Sequence, residues 1–352
     1  MPTFCRHNRF IERCPICSKT LPGAEGARPG TPRRPARGSA TVSATRPRPR
    51  AEGVRAGQAV RVRREERSAD DGYRASVAPG LRSSADALRL AEEIGFAAGR
   101  LGALATEPHG VYGEAQALAA SDLERATWLA LLIAYLSPLE GEEPFAGIAA
   151  ALARGPAHGA PAADAVPDLA GIPLGPRSSH DPARGSETLR AYLQWVARGG
   201  SATLAEGDAV IPASQAVAFR GDGGWTPERR FERLFERLAL PGLSRAGRYE
   251  LLVLLGRLGL YDLRPDALHL AIGRGGAEED LTTRGAKRAF GIADPLLLER
   301  RAAVLAEAAG VPLEVLDLAL ANWSTQERVT LGFPPEAADD AAAERALVAL
   351  GA

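Results

Sequence analysis

The stretch Thr226-Pro227-Glu228-Arg229-Arg230-Phe231-Glu232-Arg233-Leu234-Phe235-Glu236-Arg237-Leu238-Ala239-Leu240-Pro241-Gly242-Leu243-Ser244-Arg245-Ala246-Gly247-Arg248 decides the fold class. Thr226 reads as a helix cap, Pro227 fits the first helical position, and Glu228 complements the positive end of the helix dipole. Phe231, Leu234, Phe235 and Leu238 then recur at helical spacing, with Arg229, Arg233 and Arg237 in a neighbouring stripe. Leu240-Pro241-Gly242 stops this helix, and a second is predicted from about Arg245 to Leu258. Two helices joined by a Pro-Gly turn indicate an all-α protein.

The same grammar extends on both sides. Ser83 and Ser84 precede a 3.6-residue stripe of Leu88, Ala91, Ile94, Ala98 and Leu101. Ser121 with Glu124 three residues later reads as a capping box opening an apolar helix, Leu123 to Leu136, before Pro138. A helix is expected over 142–152, a long Gly/Pro-rich loop over 154–184, and a helix capped by Ser186. Beyond the central turn, 262–279 reads as irregular with a short strand at 268–272. Asp280 and Asp294-Pro295 open further helices, and others follow from Pro312 to Trp323 and over roughly 335–350. Residues 81–352 are therefore expected to form one helical domain, long enough to bury a sizeable core. Residues 19–80, rich in Pro, Gly, Ser and Arg, are expected to be a disordered basic linker.

The 352 residues carry 43 basic and 43 acidic side chains, for a net charge of zero. That balance hides an asymmetry. Residues 1–70 hold 16 basic and 6 acidic side chains, and the remainder holds 27 and 37, so a +10 arm adjoins a −10 body. Such asymmetry points to a polyanionic partner for the arm. No apolar run nears the ~20 residues of a membrane span, and Met1–Phe10 is too polar for a secretory signal. The only cysteines, Cys5, Cys14 and Cys17, lie in one short segment, which favours a reducing cytoplasm over a disulfide scaffold. No phosphate-binding glycine loop is present, so no nucleotide cofactor is expected.

Cys5-Arg6-His7 and Cys14-Pro15-Ile16-Cys17 offer four soft ligands within 13 residues. Cys₃His is a common structural zinc set, and a segment this short has no core without a metal. Residues 1–18 are therefore expected to be a zinc knuckle held by Cys5, His7, Cys14 and Cys17. Three unrelated thiols, or a redox Cys-x-x-Cys, are the alternatives.

Two segments carry a family resemblance. Trp128-Leu129-Ala130-Leu131-Leu132-Ile133-Ala134-Tyr135-Leu136-Ser137-Pro138 resembles the early core helix of the helix-hairpin-helix DNA glycosylases, the endonuclease III-like superfamily. Leu240-Pro241-Gly242-Leu243-Ser244-Arg245-Ala246-Gly247 resembles that family's hairpin. More narrowly, the Cys-x-His-Asn-Arg-Phe and Cys-Pro-x-Cys segments, placed before such a helical domain, resemble the alpha-glutamyl/putrescinyl thymine pyrophosphorylases. The resemblance implies a helix-hairpin-helix domain that binds DNA and acts on a modified or damaged base, by glycosidic cleavage or by group transfer. It implies phosphate contacts at Gly242, Ser244, Arg245, Gly247 and Arg248, where backbone N–H groups at a helix N-terminus face an anion. It also implies a catalytic Asp, best matched by Asp280, although Asp280 fits a plain helix cap equally well. Ser244 replaces the family's second hairpin glycine. Ala246 stands where bifunctional members carry a lysine, so no lyase chemistry is implied.

Arg177-Ser178-Ser179-His180-Asp181-Pro182 supplies further candidates. His180 and Asp181 could move a proton and Arg177 could hold an anion, whereas a polar turn is the bland reading. Three functional classes follow. One is an enzyme on DNA bases, with a cytoplasmic, nucleoid-associated location. The second is a non-enzymatic nucleic-acid or protein adaptor on a degenerate glycosylase fold. The third is a helical domain unrelated to DNA. An open polar cleft between the 121–137 helix and the hairpin favours the first class, and a cleft filled by Leu, Trp and Phe favours the second.

Overall fold

The structure is a computed structural model, and it describes residues 68–162, 165–199, 213–270, 279–325 and 327–352. The zinc-ligand candidates Cys5, His7, Cys14 and Cys17 and most of the basic linker lie outside these residues. The described part is helical, with no strand. In chain order it contains α1 (Ser84–Thr106), α2 (Gly110–Leu118), α3 (Leu123–Leu136), α4 (Ala146–Ala153), α5 (Glu187–Gly199), α6 (Gln215–Arg220), α7 (Pro227–Arg237), α8 (Arg245–Arg257), α9 (Leu281–Phe290), α10 (Pro295–Ala309), α11 (Val315–Trp323) and α12 (Asp340–Leu350). None is long and apolar enough to cross a membrane.

The central helices follow their sequence signals. The Thr226 side chain accepts from the Arg229 N–H, Pro227 begins α7, and Phe231, Leu234 and Phe235 are its buried face. α3 is apolar all round because it is enclosed all round: every residue from Ala126 to Leu136 is buried. It packs between α2 and α8, while α1 packs on α11 and α12, and α11 on α9. A buried Arg100–Glu250 ion pair ties α1 to α8.

Several boundaries differ from expectation. Asp122, not Ser121, caps α3 by accepting from the Arg125 N–H at 2.9 Å. The expected capping-box partner, Glu124, turns away to accept from the backbone N–H groups of Gln215 and Ala216. It thereby satisfies the start of α6, a helix too short to show periodicity. The expected strand at 268–272 is absent from its described part, 268–270. The Leu268 and Leu270 N–H groups donate to the two carboxylate oxygens of Glu299 on α10, both at 2.7 Å. The segment there, with His269 at φ +53°, satisfies alternate amides with a carboxylate instead of a second strand.

The packed body also begins earlier than expected. Ala75, Ala78 and Leu81 are buried, and the Tyr73 hydroxyl donates to the carbonyl of Leu350. Residues 73–80, read from composition as linker, are therefore part of the core.

His269 sits between rings, stacked on Phe235 with centroids 4.1 Å apart, and its Nε2 is buried without a hydrogen-bond partner. Burial lowers its pKa to about 4. The unfolded chain takes up this proton first, so the stabilisation is complete above pH 6.5 and is lost as pH falls toward 4. The loss should be about 2 kcal/mol, less than the full linkage value because part of the ring meets solvent. Chemical denaturation at pH 7 and pH 4.5 should give this difference for the wild type and a smaller one for His269→Phe.

Candidate active site

Four segments converge where α3 ends and α8 begins. The first is the C-terminus of α3. Ser137 follows it at φ +59°, a left-handed conformation unusual for a residue with a Cβ. This turn redirects the chain and leaves the carbonyls of Tyr135 and Leu136 to the second segment, the 175–184 loop. The Gly175 N–H bonds Leu136 O (3.0 Å), and the Ser179 N–H bonds Tyr135 O (2.9 Å). The loop is thus a docked strap, not a solvated turn.

The third segment is the turn between α7 and α8. Gly242 has φ +79°, and a Cβ there would lie 2.2 Å from Thr188 Oγ1 on α5. Glycine is required on both counts. Ser244 caps α8, its Oγ accepting from the Gly247 N–H at 3.0 Å and sharing a 2.6 Å hydrogen bond with Ser179 Oγ. The serine that replaces the expected glycine therefore has two jobs: it starts the helix and fastens the strap.

The fourth segment joins α9 and α11 beneath the other three. Asp317 of α11, nearly fully buried, binds the guanidinium of Arg177 at 2.7 Å and that of Arg245, and it accepts from the Thr282 hydroxyl at 3.1 Å. Arg245 also meets Asp280 at 3.2 Å and donates to Leu268 O at 2.6 Å. Burial opposes ionisation of Asp317, but Arg245 and Arg177 outweigh it and hold the carboxyl below its ordinary range. The result is a buried lattice of two arginines and two aspartates directly under the hairpin.

The expected site residues fall into three groups. Arg177 and Gly247 line a narrow crevice with Ile133, Ser137 and Glu250, while Ser244 bonds Ser179 of the strap and His180 bonds Tyr135 of α3. His180 turns inward, its Nδ1 2.9 Å from the Tyr135 hydroxyl, and burial lowers its pKa although Asp181 acts in the opposite direction. It is therefore neutral at pH 7, and among the described residues no hydrogen bond reaches its Nε2. Among the described residues, Arg177 Nη1 is buried without a hydrogen-bond partner. The second group is turned away from solvent. Arg245 faces Asp317 and Asp280 inside the protein, and Arg248 lies over the Phe235 ring and donates to the Phe235 carbonyl. Of these two arginines, Arg245 is buried and Arg248 half-buried, each with partners inside the protein.

Asp280 and Asp181 form the third group. Asp280 occupies the cap position of α9 but makes no cap bond to the helix backbone. It accepts from the Thr283 hydroxyl and pairs with Arg245 instead. Asp181 is exposed, receives the Ala183 N–H and pairs with Arg184 at 3.6 Å, so it forms no dyad with His180. Sequence reading passed over Asp317, Tyr135 and Thr282 as site members. Asp317 did carry a signal, since it stands alone in Val315-Leu316-Asp317-Leu318-Ala319-Leu320, where a single charge on an apolar face requires a buried partner.

The crevice is neither open nor filled with large apolar side chains. Its free volume is about 10 Å³, about one water. A larger pocket of about 420 Å³ lies toward the other end of α8, but its charges are already matched, Arg257 with Glu314 and Asp262 with Arg230.

Residues 178–331 match the family described as alpha-glutamyl/putrescinyl thymine pyrophosphorylase clade 3. No curated protein and no solved structure gives a match. The family to which this stretch is similar is named for thymine modification. The stretch starts at the strap serines and ends at Leu331, which lines the crevice.

Proposed function

We propose that the chain acts on thymine-derived bases in DNA by group transfer, with the crevice between α3, the 175–184 strap and the start of α8 as the reacting site. The observation that supports this reading is the coincidence of the matched stretch with the site. Residues 178–331 include Gly247, Glu250 and Leu331 of the crevice lining and also His180, Ser244, Arg245, Asp280, Thr282 and Asp317, whereas Ile133, Ser137 and Arg177 of the lining, and Tyr135, come from outside it. In this reading α7 and α8 form a helix-hairpin-helix unit. The N-terminus of α8 and the unpartnered Nη1 of Arg177 receive an anionic group. His180, neutral and with Nε2 uncommitted, takes the proton that the incoming nucleophile sheds as it bonds the carbon bearing the thymine's 5-substituent. The bond from that carbon to the departing anionic group breaks, the anion leaves toward Arg177 and the start of α8, and Asp280 steadies positive charge at the carbon. Asp317 acts through the arginines it positions. A base requires far more room than one water, so the strap lifts on binding, breaking the Ser179–Ser244 and His180–Tyr135 hydrogen bonds.

The N-terminal Cys5, His7, Cys14 and Cys17 hold a structural zinc in the same reading, checked by metal analysis of the purified chain, and the basic arm grips phosphate without sequence preference. The competing reading, a non-enzymatic adaptor on a degenerate glycosylase fold, draws on the closed crevice. Mass analysis of nucleosides from DNA bearing 5-substituted thymine separates the two. After incubation with the full chain and pyrophosphate, the expected result is a mass change confined to the substituted thymine. Unchanged masses for every nucleoside, with DNA bound, support the adaptor and overturn the enzyme.

A further inference from the structure

A second basic feature lies away from the crevice. The segment 79–82, the end of α9 and the start of the α9–α10 connection enclose an open groove of about 740 Å³. Its lining includes Arg82, Lys287, Arg288 and Arg301 and no carboxylate. Lys287 is paired with Glu279, and Arg288 lies over Trp323 and donates to the Ser324 carbonyl. No ion pair to a described carboxylate holds Arg82 or Arg301. Arg82 is exposed, with Asp70 near enough to feel its charge, and Arg301 is half-buried, so neither guanidinium is held by an ion pair to a described carboxylate in a body that is acidic as a whole.

The groove is rigidly built. The Gly80 N–H donates to Ala289 O at 2.8 Å, and a Cβ on Gly80 would lie 2.0 Å from the Arg288 carbonyl oxygen. Only glycine allows this close approach, which clamps the 79–82 segment onto the end of α9 while Ala78 and Leu81 anchor it in the core. Arg82 therefore projects from a fixed backbone. In the sequence, Arg82 follows the basic stretch 1–70 by 12 residues.

We infer that this groove is a docking track for the phosphodiester backbone of DNA, with Arg82 and Arg301 as phosphate contacts. The inference rests on the proposed action on DNA and adds where the body itself holds the strand, since the hairpin arginines Arg245 and Arg248 are committed internally. A polyanion fits better than a small anion because the charges stand on separate elements across a wide, open groove.

The test is duplex binding by the full chain, followed by fluorescence anisotropy from about 50 to 300 mM salt, for the wild type and for Arg82→Gln/Arg301→Gln. The double variant is expected to lose affinity about tenfold or more at low salt and to lower the slope of log K against log salt by about 2. The charge-preserving Arg82→Lys/Arg301→Lys should keep the wild-type slope, which separates lost charge from lost fold. An unchanged slope and affinity in the Gln variant overturn the groove and leave the DNA reading standing. Failure of the wild type to bind at the lowest salt overturns both. Calorimetry with inorganic pyrophosphate gives the last arm: if the Gln variant loses pyrophosphate binding but keeps duplex binding, the groove is a small-anion site and the inference fails.

Discussion

Asp317→Ala is expected to destabilise the protein by about 3–5 kcal/mol, the cost of breaking a buried ion pair from one side. The carboxylate holds two guanidinium groups, Arg177 and Arg245, which are themselves nearly fully buried. Its removal strands positive charge where water cannot reach, and Asp280 alone touches only Arg245. The lattice as a whole need not stabilise the fold, because desolvating four charges offsets much of their attraction. The loss arises from leaving the arginines unmatched. Adding Arg177→Met to Asp317→Ala should therefore recover part of the lost stability in urea unfolding. A double variant less stable than Asp317→Ala would show that Arg177 is held by something other than this carboxylate.

His180→Ala is expected to lower the rate of thymine modification by about 10²–10⁴-fold, the usual contribution of a positioned proton-transfer group. Its effect on stability should be only about 1 kcal/mol, that of one hydrogen bond to Tyr135. The pH profile is the sharper readout. Burial holds the imidazole below its ordinary pKa, so the acidic limb of the wild-type rate should fall below pH 6.5, and the variant should lack it. Retention of that limb in His180→Ala would assign the titration to another group and remove His180 from the chemistry.

How much of this was readable from sequence depends on whether the signal was local. The cap, proline and apolar stripe at Thr226, Pro227 and Phe231 act within one helix, and α7 followed them. Gly242 was legible because a helix stop followed by a helix start needs a left-handed residue. Glu124 was not, because its acceptors go to Gln215 and Ala216, about 90 residues away in sequence. Arg245 and Arg248 misled for a related reason: a local excess of arginine looks like an outward basic patch, and whether each guanidinium turns in or out depends on Asp317 and Phe235, which are not neighbours in sequence. The same holds for Arg82. Gly80, two residues before it, lay in a segment whose composition looked like linker, and only the Gly80 contact with α9 brings Arg82 into a groove.

The central claim is that thymine is handled between the strap and the start of α8. The most direct measurement is photocrosslinking of the full chain to duplex DNA in which one thymine is replaced by 5-iodouracil, with the crosslinked peptide identified by mass spectrometry. The expected crosslinks fall within 175–184 or 244–250. Crosslinks confined to the arm, or to any surface away from those two segments, would contradict the account.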